Sequence, residues 1–192
     1  MMIRSFLAFE LPLEIKRTVK QVSEDVRRSK LNVKLVNVDN IHLTVVFMGN
    51  IKTEDIPAIE REIKQGCAGF DPFDISLKGL GFFPNARRPR VLWLGIECET
   101  ERMSSLKTNL QERLRTYGVK EEKRKFRPHL TIGRFRKSNR SSSLLEEIIT
   151  RYEGLESPVF PLGELVMFKS KLTPKGAEYT KLVSWPLKGA GG

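Results

Sequence analysis

The stretch Ile41-His42-Leu43-Thr44-Val45-Val46-Phe47-Met48-Gly49 decides how this sequence folds. Leu43, Val45 and Phe47 alternate with His42, Thr44 and Val46, the period of two that predicts a half-buried strand. On such a strand His42 and Thr44 share one face, and Leu43 takes the core face. A second stretch, Arg127-Pro128-His129-Leu130-Thr131-Ile132-Gly133-Arg134, repeats the His-Leu-Thr triplet 87 positions later. The chain contains two histidines, and both stand in this triplet.

The same offset reaches further upstream. Phe6, Leu7, Ala8, Phe9 and Glu10 fall on Trp93, Leu94, Gly95, Ile96 and Glu97. Both halves then read strand, helix, strand. The expectation is one α+β domain over residues 1–192, with a bilobal, duplicated fold. Each lobe is an antiparallel sheet with helices on its outside, and a pseudo-twofold sets the two histidines across a central cleft.

Local patterns fill in the elements. Residues 3–9 and 34–36 read as strands, and 12–30 as an amphipathic helix with Ile15, Val19, Val22 and Val26 on one side. Gly49-Asn50 reads as the end of the central strand, and Thr53 as the N-cap of a helix reaching residue 65. Residues 73–80 and 90–97 read as strands, and 101–117 as a helix stopped by Gly118. A short helix over 144–152 precedes a closing pair of strands, 159–171 and 178–184. The glycine-rich tail from Gly189 to Gly192 reads as frayed.

Composition narrows the partners. The formal charge is +11 and the pI about 9.8, which suits a polyanion such as nucleic acid. The basic loop around Lys123, Arg124, Lys125 and Arg127 could steer such a partner, or simply be solvated. No run reaches the roughly 18–20 apolar residues of a membrane span. The apolar N-terminal run meets Glu10 and Pro12 too early for a signal peptide, so the expectation is a cytoplasmic protein without a membrane partner. Cys67 and Cys98 match no zinc spacing and read as plain buried thiols.

Two imidazoles are a complete set for acid–base chemistry near neutral pH. One, neutral, takes a proton from water; the other, protonated, gives one to a leaving oxygen. Thr44 and Thr131 can donate hydroxyl hydrogen bonds to phosphate oxygens. Arg134, three residues past Thr131, is either a bidentate phosphate clamp or a surface cation in the basic stretch with Arg136 and Lys137. Two histidines without a carboxylate cluster do not close a zinc site, so no metal and no cofactor are expected. Phe6 and Trp93 share a repeat position opposite the core residues Leu7 and Leu94. They either stack a base or ribose or pack under loops.

The paired triplets, with their flanks IHLTVVFMG and RPHLTIGR and the preceding Arg4, Phe6 and Ala8, resemble the two-histidine phosphoesterases. Within that group the chain resembles the RNA 2′,3′-cyclic phosphodiesterases, historically called 2′-5′ RNA ligases, over nearly its whole length. The resemblance implies metal-independent hydrolysis of a 2′,3′-cyclic phosphate at an RNA end to a 2′-phosphomonoester. It also implies a weak, reversible activity on 2′-5′ linkages. Carried over, His42 is the proton donor to O3′, His129 the proton acceptor from water, and Thr44, Thr131 and Arg134 the phosphate binders. The implied partners are RNA ends, tRNA fragments among them, with no obligate protein partner. Two other readings use the same residues or surface: a ligase whose working direction is joining, and a non-catalytic RNA-binding module.

Overall fold

Strand β1 (Met2–Glu10) runs antiparallel to β3 (His42–Lys52) in the computed structural model, which describes residues 1–122, 124–135, 142–174 and 176–189. Helix α1 (Leu13–Arg28) and the short strand β2 (Val33–Leu35) lie between them in the chain. The remaining elements are α2 (Ile56–Cys67), β4 (Phe73–Phe83), β5 (Val91–Glu97), α3 (Thr100–Leu114), β6 (His129–Phe135), α4 (Ser142–Arg151), β7 (Phe160–Leu162), β8 (Glu164–Thr173) and β9 (Gly176–Pro186). The fold is α+β: four helices and a large antiparallel sheet. The strand order is β7-β4-β5-β6-β3-β1-β8-β9, and β2 pairs with β6 beside that path.

The middle of this sheet is thin. β3 and β6 are joined in register at one pair, Leu43 opposite Leu130. These are the central residues of the two triplets, and both are buried. On either side of the join the pairing is extensive: β1 runs along β3, and β5 along β6.

Each triplet is followed by a bulge. Ala8 pairs with Thr44 and Leu7 with Val46, which leaves Val45 as the extra residue on β3. Trp93 pairs with Thr131 and Leu92 with Gly133, which leaves Ile132 as the extra residue on β6. A bulge shifts the in–out phase by one residue. Strict alternation would send Phe47 and Arg134 to the core face; after the bulges both stand on the histidine face. Phe47 is accordingly 66% exposed, and Arg134 is exposed too.

The register also corrects one expected equivalence. Glu10, Phe9 and Ala8 lie opposite the first triplet, and Gly95, Leu94 and Trp93 opposite the second. Ala8, not Phe6, is therefore the counterpart of Trp93. The side chains beside the triplets do not follow the 87-residue offset of the triplets themselves.

Three boundaries differ from expectation. Gly49-Asn50 does not end β3; the strand continues to Lys52, with Gly49 at φ +72° beside the second irregularity in its pairing with β1. Thr53 is not a helix cap. Its hydroxyl donates to the Met1 carbonyl, and a turn of 3-10 helix over Thr53–Asp55 precedes α2. The predicted strand over 159–171 is two strands at opposite ends of the sheet: β7 pairs with β4 and β8 with β1, and Gly163 separates them. Propensity alone could not see that division, because both pieces are apolar. Gly118 does stop the helical run, at φ +83° after a 3-10 turn.

Helices cover the leucine side of the sheet. Ile15, Val19, Val22 and Val26 of α1, Ile59 and Ile63 of α2, and Met103, Leu106, Leu110 and Leu114 of α3 join Leu7, Phe9, Leu43 and Leu130 in one buried cluster. Among the described residues no helix is long and apolar enough to cross a membrane. Cys67 is buried, Cys98 is half-buried, and both are free thiols. Lys123, Arg136, Lys137 and the tail beyond Gly189 lie outside the described residues.

One glycine holds the second triplet in place. Gly95 pairs with His129, and a Cβ there would lie 2.3 Å from the Lys78 carbonyl oxygen of β4. A backbone atom cannot swing aside as a side-chain tip would. Gly95→Ala is expected to destabilise the fold by about 1–3 kcal/mol and to lower turnover by displacing His129. Denaturant unfolding measures the first; an unchanged midpoint would show that β4 yields easily.

Candidate active site

Leu43 and Leu130 face the core, so the residues flanking them face the other way. His42, Thr44, His129 and Thr131 therefore share the face opposite the helices. Because β3 and β6 are antiparallel about the Leu43–Leu130 pair, the arrangement is diagonal. His42 lies alongside Thr131 across the join, and His129 alongside Thr44.

Both imidazoles are anchored in the same way. His42 Nδ1 lies 2.9 Å from the Asn40 carbonyl oxygen, and His129 Nδ1 lies 2.7 Å from the Arg127 carbonyl oxygen. A carbonyl only accepts, so Nδ1 carries hydrogen in both rings and donates it. Nε2 is thereby left as the nitrogen of each ring free to exchange a proton, a lone pair when neutral and an N–H when protonated.

The packing around the rings differs. His42 stacks on Phe6 at 4.6 Å between centroids, lies 6.1 Å from Phe168, and meets the edge of Tyr179 at 5.2 Å. His129 meets Phe83 edge-on at 4.9 Å. Burial pushes the His42 imidazole down to about 4, against the opposing pull of its Asn40 hydrogen bond and the Glu10 carboxylate. Burial also lowers His129, helped by the Arg134 charge and opposed by the Arg127 carbonyl. The neighbouring charges are thus of opposite sign: an anion beside His42 and a cation beside His129.

Arg134 connects the two halves of the site. Its charge acts on His129 and also on the Tyr179 hydroxyl, which burial raises and which Arg134 and Arg4 together oppose. Arg4, Phe6, Ala8 and Glu10 share the histidine face of β1 by alternation. The place of Arg4 on this face is readable from the period of two. Tyr179 and Phe168 carried no local signal, since they arrive from β9 and β8 far along the chain.

The aromatic pair resolves unequally. Phe6 is 3% exposed, with its ring stacked on His42 and, at 5.2 Å, on Phe168. It backs a histidine and offers no open face to a base. Trp93 is half-buried, lies 5.2 Å from Phe83, and sits directly over Gly81, where a Cβ would approach its ring to 2.3 Å. Its indole Nε1 is buried without a hydrogen-bond partner. In the basic loop, Arg124 is held by Glu122 in a bidentate pair at 3.0 and 2.9 Å, so part of that loop's charge is already engaged. Among the described residues no group of three or more His, Cys, Asp or Glu is placed to hold a metal ion.

A large antiparallel sheet bearing two His-x-Thr triplets on one face defines a class. The sequence profile of the 2′-5′ RNA ligase superfamily, the two-histidine phosphoesterases, matches residues 11–173. The chain is 34% identical to the RNA 2′,3′-cyclic phosphodiesterase of Methanothermobacter thermautotrophicus, over 95% of this chain and 97% of that one. It is 31% identical to the enzyme of the same name from Archaeoglobus fulgidus, over 94% of this chain and 98% of that one. The chain belongs to the RNA 2′,3′-cyclic phosphodiesterase family of that superfamily. Among solved structures, TT0787 of Thermus thermophilus superposes with a TM-score of 0.78 at 25% identity, over 97% of this chain and 99% of that one. E. coli LigT, solved with 3′-AMP, shares the fold with a TM-score of 0.72 at 22% identity, over 97% of this chain and 99% of that one.

The His42 environment has a measurable consequence for stability. Between pH about 6.5 and about 4 the unfolded chain binds a proton at this ring that the folded chain refuses. Folding stability contributed by His42 is therefore complete above 6.5 and lost as pH falls toward 4, by at most about 3 kcal/mol. His42→Asn keeps a donor for the Asn40 carbonyl but cannot titrate. Its stability–pH curve is expected to be flatter than wild type in that window; parallel curves would mean His42 titrates normally.

Proposed function

We propose that this protein hydrolyses RNA 2′,3′-cyclic phosphate ends to 2′-phosphomonoesters by two-histidine acid–base catalysis, without a metal. The observation that carries the reading is the matched anchoring of His42 and His129, each holding Nδ1 on a backbone carbonyl and keeping Nε2 for the reaction. Thr44 and Thr131 donate to the non-bridging oxygens, and Arg134 supplies the charge that meets the anion. The reading extends to a pseudo-twofold through the Leu43–Leu130 join. It is supported by bulges at Val45 and Ile132, which repeat the 87-residue spacing of the triplets.

In the proposed step a water attacks phosphorus in line with O3′. His129 Nε2 takes the water proton as the new P–O bond forms. The P–O3′ bond breaks, and His42 Nε2–H delivers a proton to O3′. The products are a 2′-phosphate and a free 3′-hydroxyl. Solvent then returns a proton to His42 and removes one from His129. The polarity follows the neighbouring charges: Glu10 favours a cationic His42 and Arg134 a neutral His129. Burial keeps His42 neutral in the empty site, and the arriving phosphate anion adds the charge that lets it protonate. Trp93 would stack the terminal base, a role supported by its half-buried ring on the triplet face opposite Thr131.

The test is an oligonucleotide ending in a 2′,3′-cyclic phosphate, incubated in EDTA. The expected product is the 2′-phosphate, with kcat lowered about 10²–10⁴-fold by His42→Ala and by His129→Ala. A 3′-phosphate product, or dependence on added divalent metal, would overturn the reading. Replacing O3′ by sulfur separates the two roles, because a thiolate leaves without protonation. That substrate is expected to restore His42→Ala but not His129→Ala; the reverse pattern would exchange acid and base.

A further inference from the structure

A second site lies along helix α1, outside the chemistry described so far. Lys16, Lys20, Ser23 and Arg27 line one side of a groove of about 660 Å³. Their spacing, i, i+4, i+7 and i+11, puts them on a single stripe of the helix. This stripe adjoins the buried one, which runs through Ile15, Val19, Val22 and Val26. It extends along about 16 Å of helix. The opposite wall is the end of β2 and the segment after it, where Leu35, Val36 and Val38 present partly buried apolar surface.

Two features mark the groove as more than a solvated helix face. Its cations, Arg17 included, are held in no ion pair by any described carboxylate, whereas Arg28, one residue beyond the stripe, is paired with Asp25. Ser23 is 4% exposed, and its hydroxyl has no hydrogen-bond partner although it lines the groove. A buried hydroxyl left unpaired is unfavourable, and a hydrogen-bonding partner there would relieve it.

At one end the groove meets a small cavity beside His42. Lys16 and Asp39 line it, and they also line a cavity of about 150 Å³ that His42, Glu10, Tyr179 and Lys181 bound. Four cations against Glu24 and Asp39 leave the groove positive. The apolar wall suits riboses and bases, and the carboxylates suit their hydroxyl and amino donors.

We propose that this groove carries the single-stranded RNA on the 5′ side of the reacting cyclic phosphate, with Lys20 and Arg27 engaging its phosphodiesters. The inference rests on the phosphodiesterase reading above for the identity of the strand's end. It makes the protein an enzyme for oligonucleotide ends rather than for free cyclic mononucleotides.

The experiment compares a mononucleoside 2′,3′-cyclic phosphate with oligonucleotides lengthened one nucleotide at a time on the 5′ side. Wild-type kcat/KM is expected to rise with length. In Lys20→Gln/Arg27→Gln the oligonucleotide-to-mononucleotide ratio is expected to fall at least about tenfold. The slope of log kcat/KM against log salt should fall by about 1.4, the value for two phosphate contacts on a single strand. Arg61→Gln/Lys64→Gln, on the exposed side of α2, removes the same charge and is expected to leave both quantities at wild-type values. Equal rates for all lengths, or equal losses in the two double variants, would overturn the proposal. Fluorescence anisotropy with an oligonucleotide ending in a 2′-phosphate provides a readout independent of turnover. Wild type that binds the strand through Lys20 and Arg27 but cleaves nothing would sink the phosphodiesterase reading and uphold the groove. A wild type that cleaves but binds no tighter with length would do the opposite. Tighter binding of an acidic peptide than of the oligonucleotide would assign the groove to a protein partner and overturn the RNA proposal.

Discussion

The pairing of Leu43 with Leu130 is the constraint on which the site depends. It is the one registered pair between β3 and β6, and it joins the strands that carry the two triplets. Both leucines are buried, each contributing about 1.5–3 kcal/mol of apolar burial. Because each is the middle of a His-Leu-Thr triplet, placing them in the core turns four polar side chains to the opposite face. A slip of one residue would drive histidines and threonines into the core and bring leucines out. The hydrophobic core therefore sets the register of both triplets. No separate device is needed to bring the histidines to one face.

On that face, desolvation and charge work against each other. Aromatic rings around His42 exclude water and hold the imidazole neutral, while Glu10 and the Asn40 carbonyl favour the cation. Burial wins that contest, and in so enclosed a setting an added negative charge acts through little water. A phosphate anion arriving between the triplets would supply it. His129 has a less enclosed ring and a guanidinium nearby, so the same anion would change it less. Two histidines in matching backbone settings are thus given different proton affinities by their side-chain neighbours.

Much of this was legible in the sequence, and the limits have physical causes. The triplets, their strands and the α1 core stripe follow from periods of 2 and 3.6, and the structure has each of them. The bulges do not follow from any period. Val45 and Ile132 look like ordinary alternating residues, yet their insertion re-aims Phe47 and Arg134. The division at Gly163 was hidden because both flanking segments are apolar, and only long-range pairing assigns them to different ends of the sheet. Phe6 was placed on the correct face by alternation. Its occupation by His42 and Phe168 needed β8 in view, and β8 is non-local. Ser23 carried no signal in the sequence; its burial beside a cationic groove is visible only in the structure.

The bulges also show how two matching triplets come to have asymmetric surroundings. They deliver Phe47 and Arg134 to matching positions on the histidine face, three residues past each threonine. One position receives an exposed aromatic ring and the other a guanidinium. A hydrolytic step on a cyclic phosphate is itself lopsided: a proton is taken on one side of phosphorus and given on the other. An arginine at both positions would add a second charge opposing protonation, on top of the burial that already lowers both imidazoles. With phenylalanine on the His42 side, no guanidinium stands at that position to oppose the effect of Glu10 on the ring. The Leu43–Leu130 pair brings the two triplets to one face, and the difference between Phe47 and Arg134 gives the two sides of that face unlike charge, as the proposed acid–base division requires.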